Sequence, residues 1–414
     1  LALYGVYSLW GWGFSTVGAL LLAWVFSSLS RRLSKAGGPY AYPREAFGDF
    51  AGFLIAWIYW LSILGTNAAI AVAFASYLTV FIPILAKVPL FGGLAAIAAV
   101  WVLTGLNIWG VRAASNLQLI TVILKLAPLL ALALFGFFYF DPRLLASGHV
   151  ATSPFSAIKT TAAFTMFAFL GLECATVPAA HVKDPEKTIP RATFLGTIIA
   201  AAFYIVCTTI VMGIIPNTTL AHSNAPFSDA ARVMWGSWGA WVIAATAMVS
   251  CFGALNGWLL MQGQFPKAVA DDGLFPQFFA RGSLRGSPAL GMVISSVLAT
   301  LLILMNYSEG LVAMFNILVL LTTFFVLVPY MFCAMAEIVL SRNQKHTAKS
   351  PVRNLVLACL AFAFALWAAA GTGRDSLYWG TLLLLVGIPI YVWQKRHGKQ
   401  AAVMAPDKLE INAG

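Results

Sequence analysis

Long apolar runs alternate with short polar breaks along the whole chain, and the runs hold only isolated charges and no charged face, unlike the two-faced helices of a water-soluble domain. A helix needs ~20 predominantly apolar residues to cross a bilayer. Eleven runs meet or approach that length, near residues 6–29, 48–83, 90–110, 114–140, 155–181, 191–215, 229–265, 287–305, 308–339, 353–372 and 376–394. The uncharged stretch from Phe50 to Ala86 exceeds one upright span, and a long tilted helix followed by an interfacial piece accommodates it. The pattern predicts an all-α polytopic membrane protein. It has one transmembrane domain over residues 1–394 and a polar tail over residues 395–414.

Composition agrees: 61% of residues are hydrophobic and only 9% charged, against roughly 25% charged in soluble domains. The net charge of +11 is not a nucleic-acid signal, because its placement follows the spans. One set of alternating loops, with the tail, holds nineteen of the twenty-five basic residues, among them Arg31, Arg32, Arg44, Lys267, Arg342 and Lys395. The other set holds Lys87, Arg143, Lys159, Arg232 and Arg374. The positive-inside rule puts the first set, and the C-terminus, in the cytoplasm. The expected location is a bacterial inner membrane, with the lipid bilayer as one partner and no nucleic acid. An odd count of spans then puts the N-terminus outside. The opening Leu1-Ala2-Leu3-Tyr4-Gly5 has no Met and no basic n-region, as though the chain began partway through a segment.

Several classes of chemistry drop out. Cys174, Cys207, Cys251, Cys333 and Cys359 lie in spans without metal-ligand spacing, and the five histidines fall in loops or at helix ends. No metal and no cofactor is expected. There is no Gly-rich phosphate loop, and no nucleophile–base pair lies within the spans, so an enzyme is not expected. If energy drives the protein, an ion or solute gradient supplies it.

Two charges lie deep in the apolar runs. Lys125 stands alone in the uncharged stretch 115–140. Roughly ten residues from the nearer end, it sits ~15 Å deep, beyond the reach of snorkelling. Glu173 is comparably deep. Ionisable groups at such depth mark functional sites, because they are costly unless they face a cavity or a partner.

Three constellations carry the remaining chemistry. Phe164–Cys174 combines Gly171, Glu173 and three aromatics at mid-membrane. A helix interrupted within this segment would line a substrate cavity with backbone groups; an unbroken helix would use the glycine for close packing. Tyr59, Trp60 and Asn67 lie in the long uncharged helix, where Asn67 is either interhelical glue or a ligand. Asn256 to Gln264, with Trp258, leads into the turn Asp271-Asp272-Gly273, which on its own reads as a solvated loop.

At these residues the chain resembles the amino acid–polyamine–organocation permeases. Phe169-Leu-Gly-Leu-Glu-Cys followed by Val182-Lys-Asp-Pro-Glu-Lys-Thr-Ile-Pro-Arg-Ala-Thr is similar to that family's sixth helix and following loop. Cys251-Phe-Gly-Ala-Leu-Asn-Gly-Trp through Ala270-Asp-Asp-Gly-Leu-Phe-Pro resembles the eighth-helix region of the arginine/agmatine antiporter group. Gly37-Gly-Pro-Tyr-Ala-Tyr-Pro-Arg-Glu-Ala-Phe-Gly resembles the loop into the third helix, and Val328-Pro-Tyr fits the tenth.

The resemblance implies a fold of two five-helix inverted repeats plus two C-terminal helices, with the first helix absent here and Leu1–Gly5 matching its end. It implies a secondary amino-acid transporter working by alternating access, either by exchange or with proton coupling. The substrates would be amino acids or amines, including cationic ones such as arginine and agmatine. A neutral amino-acid:proton symporter is the alternative, and a channel is the alternative of another class. A homodimer is a further partner the family suggests.

The substrate-binding positions it implies are Asn67, Ile70, Phe167, Ala168, Leu170, Gly171, Trp258 and Thr322. Lys125, Glu173 and Tyr59 would serve gating and proton coupling. Phe167 stands where the antiporter has a tryptophan. Cation–π attraction is best over Trp, so a strong guanidinium preference is in doubt. Lys125 departs from the antiporter and resembles the fifth-helix lysine of proton-coupled and cationic amino-acid permeases, which argues against sodium coupling.

Overall fold

A computed structural model describes residues 2–33, 38–109, 128–146, 153–174, 184–280, 288–343 and 351–403, and among the described residues there are helices and turns and no strand. Lys125, the first part of the run at 114–140, the 175–181 end of the fifth run and the tail beyond 403 lie outside the described residues. The helices are α1 (Tyr7–Arg32), α2 (Ala41–Phe47), α3 (Asp49–Leu78), α4 (Pro89–Trp109), α5 (Pro128–Tyr139) and α6 (Pro154–Met166). They continue with α7 (Pro185–Ile214), α8 (Pro226–Asp271), α9 (Ala289–Leu304), α10 (Leu311–Asn343), α11 (Pro351–Ala370) and α12 (Arg374–Val403). Among the described residues eight helices are long and apolar enough to cross a membrane, and α5, α6 and α9 fall in the three remaining runs.

The protein is therefore a polytopic all-α membrane protein. Its outer faces carry large apolar side chains in the open, such as Val102, Trp109, Leu134, Phe138, Ile199 and Trp241. In water such a surface would drive aggregation; in hydrocarbon it costs nothing.

The long uncharged stretch resolves into α3 followed by a turn and a one-turn helix at Ile84–Lys87. The run read as 229–265 is part of a longer element. Gly236, at φ 74° and ψ −161°, breaks the 46 residues of α8 into a short leading piece and the span proper. The span runs on through Pro266, which withholds the N–H that would bond the Gln262 carbonyl. Helix α12 also continues past residue 394 to Val403, through Lys, Gln and Ala residues of good helix propensity. The stretch read as a loop into the third helix folds into α2, with Tyr40 and Tyr42 buried.

Helix α3 is the axis of the bundle and packs against α4, α8, α9, α10 and α12. Helix α1 packs against α6, α7 and α11. Without a hydrophobic driving force between helices, small residues and hydroxyls make such contacts: Ser15 of α1 meets the Thr165 hydroxyl of α6 at 2.8 Å.

Candidate functional site

The site is built on the interruption after α6. Ser153 caps this helix, its side chain accepting the Ser156 N–H at 3.4 Å, and Pro154 opens the first turn. The α-helix stops at Met166. A 3-10 turn follows at Phe167–Phe169, then Leu170 in extended conformation (ψ 138°), then Gly171 at φ 99°. That last angle lies where only glycine is at ease. The resemblance to the permeases implies a break between Phe167 and Gly171, and the chain turns there. Non-helical backbone at membrane depth survives only where protein buries it or a cavity meets it.

Beyond the break the chain delivers Glu173, fully buried, to two tyrosines. Tyr59 of α3 donates to Oε1 at 2.7 Å, and Tyr330 of α10 donates to Oε2. Aromatic rings fill the space between it and the basic face of the molecule. Tyr59 lies edge-on to Phe265 at 4.9 Å, Phe265 meets Tyr40 at 5.7 Å, and Tyr330 meets Phe26 at 5.2 Å. One acidic side chain thus ties α3, the α6 break and α10 together above an aromatic plug. Tyr330 escaped the sequence reading as a site residue, although the Val328-Pro-Tyr block was visible.

The other candidates lie further along α3. Asn67 is eight residues past Tyr59, ~12 Å along the helix axis. It is fully buried, and its Nδ2 donates to Gln262 Oε1 of α8 at 2.7 Å. Among the described residues its Oδ1 has no partner, and neither do the buried hydroxyls of Thr66 and Thr322. Helices α3 and α10 are pressed together here, since a Cβ on Gly65 would stand 2.2 Å from Thr322 Oγ1. Trp258 of α8 lies across the break, 3.4 Å from where a Cβ on Gly171 would sit. Phe167 and Ile70 pack against one apolar cluster, with Leu259 and Met314, and Phe167 stands 6.3 Å from the Phe315 ring. Ala168, Leu170 and Trp258 pack against the neighbouring cluster. Lys125 lies outside the described residues.

Two further readings are refined. Asn256 pairs with Asn107 of α4 at 2.9 Å and so ties helices together. Asp272 is no free loop residue: it accepts from Tyr40 at 2.9 Å and pairs with Arg44 at 3.0 Å, docking the turn onto α2. Burial, reinforced by the Asp272 carboxylate, pushes the Tyr40 phenol above its ordinary range and keeps it a donor. Among the described residues no three His, Cys, Asp or Glu side chains are grouped to hold a metal ion.

The sequence model of the amino acid permeases matches residues 3–388. The chain belongs to that family. The permease is 33% identical to the putrescine transporter PotE of Escherichia coli (strain K12) over 395 residues, covering 94% of this chain and 89% of the relative. It is 32% identical to the cadaverine/lysine antiporter of the same strain over 414 residues, covering 98% and 91%. The putrescine transporter PotE of Haemophilus influenzae (strain ATCC 51907 / DSM 11121 / KW20 / Rd) is also 32% identical, over 396 residues, covering 94% of the permease and 90% of the relative.

Proposed function

We propose that the permease exchanges a basic amino acid for a linear diamine by alternating access, in a bacterial inner membrane with its basic face and C-terminus in the cytoplasm. The carrying observation is the set of buried oxygens without partners on α3 and α10: Asn67 Oδ1, Thr66 Oγ1 and Thr322 Oγ1. A buried acceptor without a donor is costly, and a terminal ammonium supplies three donors. Phe167 and Trp258 offer the apolar walls a methylene chain needs, and the backbone around Gly171 offers polar groups to the α-amino end. The relatives that carry putrescine, cadaverine and lysine by name support the same substrate class. Glu173, Tyr59 and Tyr330 serve as the gate on the basic side.

Proteoliposomes test this directly. Uptake of labelled lysine should accelerate when the vesicles are loaded with cadaverine, and unlabelled putrescine, cadaverine and lysine should compete better than neutral amino acids. Uptake indifferent to the internal load would point to a channel. Uptake driven by a proton gradient and blocked best by neutral amino acids would establish symport instead.

Lys125→Ala removes a costly charge and keeps helix propensity. The variant should insert as well as the wild type and lose most transport, together with any response to an imposed proton gradient. Wild-type uptake and pH response in this variant would show that the lysine is tolerated rather than used.

Orientation is checked by one cysteine. Placed at Ser350 in a cysteine-free background, it should resist an impermeant maleimide in intact cells and react in inverted vesicles. Ready labelling of intact cells would invert the topology.

A further inference from the structure

Six buried polar side chains interlock α3, α4, α8 and α9 behind the candidate site, and four of them form one directed chain. It begins at a backbone group whose polarity is fixed. The Met292 carbonyl can only accept, and Gln262 reaches it at 3.0 Å, so the atom facing it is the amide nitrogen. The second hydrogen of the same nitrogen goes to Ser296 Oγ at 2.7 Å. Ser296 meets the Thr104 hydroxyl at 2.8 Å, and Thr104 donates to the Val100 carbonyl at 2.7 Å, so Ser296 donates onward to Thr104 and is left to accept from Gln262. Both ends therefore require the same orientation of the Gln262 amide.

With both its hydrogens committed, Gln262 presents Oε1 to Asn67, and Asn67 answers with Nδ2 at 2.7 Å. The remaining oxygen, Asn67 Oδ1, is buried and has no partner among the described residues. Turning the Asn67 amide by half a rotation would set oxygen against oxygen at that distance, in a place closed to water. Gln262, Ser296 and Asn67 are all fully buried, so no solvent relieves the clash.

We infer that Gln262 is a specificity-determining positioning residue: it locks Asn67 with its carbonyl oxygen open, so that the site selects a substrate whose far end donates hydrogen bonds over one whose far end is apolar. Gln262 does this through Asn67 and need not touch the substrate. The inference deepens the proposed exchange of basic amino acids and diamines and rests on it.

The experiment measures inhibition constants in proteoliposomes for lysine and norleucine, which differ in the terminal ammonium alone. Wild-type protein should bind lysine more tightly; equal affinities would overturn the proposed substrate class and this inference together. Gln262→Met keeps the volume and removes the lock. It should weaken lysine about 10- to 100-fold, the range for one hydrogen bond to a charged group, and leave norleucine within about 3-fold. Gln262→Asn, one methylene shorter, withdraws the acceptor from Asn67 while keeping an amide, and should lose the preference in the same way. Gln262→Glu in its neutral form keeps its carbonyl oxygen facing Asn67 Nδ2 while its hydroxyl takes over the donation to the Met292 carbonyl, so the lysine preference should survive. A role in packing alone predicts the reverse order, with the buried carboxylate the most damaging variant and both substrates affected equally. A wild-type preference that persists in Gln262→Met and Gln262→Asn would overturn the inference and leave the substrate class standing.

Discussion

Glu173→Ala is expected to lower the thermal stability of the purified permease sharply and to stop exchange, whereas Glu173→Gln should restore most of the stability and little of the transport. The alanine variant strands the Tyr59 and Tyr330 hydroxyls, both in fully buried residues and both donating to the lost carboxylate. Each unpaired buried hydroxyl costs about 1–3 kcal/mol. Glutamine can still accept from one tyrosine and donate to the oxygen of the other, so the three-way junction of α3, α6 and α10 persists. It cannot change charge, and a gate that relies on protonation of the carboxylate would no longer respond to pH. Melting curves in detergent and exchange rates across a pH series read the two effects separately. An alanine variant as stable as wild type would mean that the junction does not hold the helices together. A glutamine variant with the wild-type pH profile would remove Glu173 from any proton step.

Gly171→Val is expected to abolish exchange. At φ 99° the backbone lies where an L-residue is strained, by about 1–2 kcal/mol for a simple side chain and more for a β-branched one. The added branch would also push on Trp258, whose ring is already in van der Waals contact with the place a Cβ would take. Gly171→Ala separates the two causes. Its methyl group fits the space at 3.4 Å, so it carries the backbone strain alone and should show a raised KM with partial turnover. Both variants are read by uptake kinetics, with elution from a sizing column as the check on folding. Valine transport at the wild-type rate would place the substrate away from the break.

Much of this arrangement was legible in one dimension. A glycine and a carboxylate set among aromatics at mid-span raised a break in α6 as one of two readings, and the resemblance to the permeases supplied its bounds at Phe167 to Gly171. Asn67 was ambiguous between interhelical glue and ligand, and the structure shows the first role for its nitrogen. That nitrogen ties α3 to Gln262, while the buried oxygen has no partner among the described residues. Gln262 was passed over because a glutamine near the end of an apolar run looks like the approach to a loop; nothing local says that it faces α9. The docking of Asp272 onto Tyr40 and Arg44 was equally hidden, since an Asp-Asp-Gly turn has the composition of any solvated loop. The only local hint was the pair of tyrosines in Gly38-Pro-Tyr-Ala-Tyr, too apolar for a free connection.

By itself the sequence determined that the chain lives in a bilayer, roughly where its apolar runs begin and end, and which loops carry the positive charge. Those properties depend on run length and on the placement of charges along the chain, because hydrocarbon some 30 Å thick tolerates little else. Only the tertiary structure decided which polar atoms are satisfied and which are left over. Glu173 meets partners 114 and 157 residues away, and Asn67 meets one 195 residues away. Hydrogen bonds act over about 3 Å, so these pairings hang on the rotation and depth of each helix against its neighbours. An apolar helix in lipid carries little sequence record of either, since its lipid-facing and protein-facing sides are both apolar and only scattered small residues and hydroxyls tell them apart.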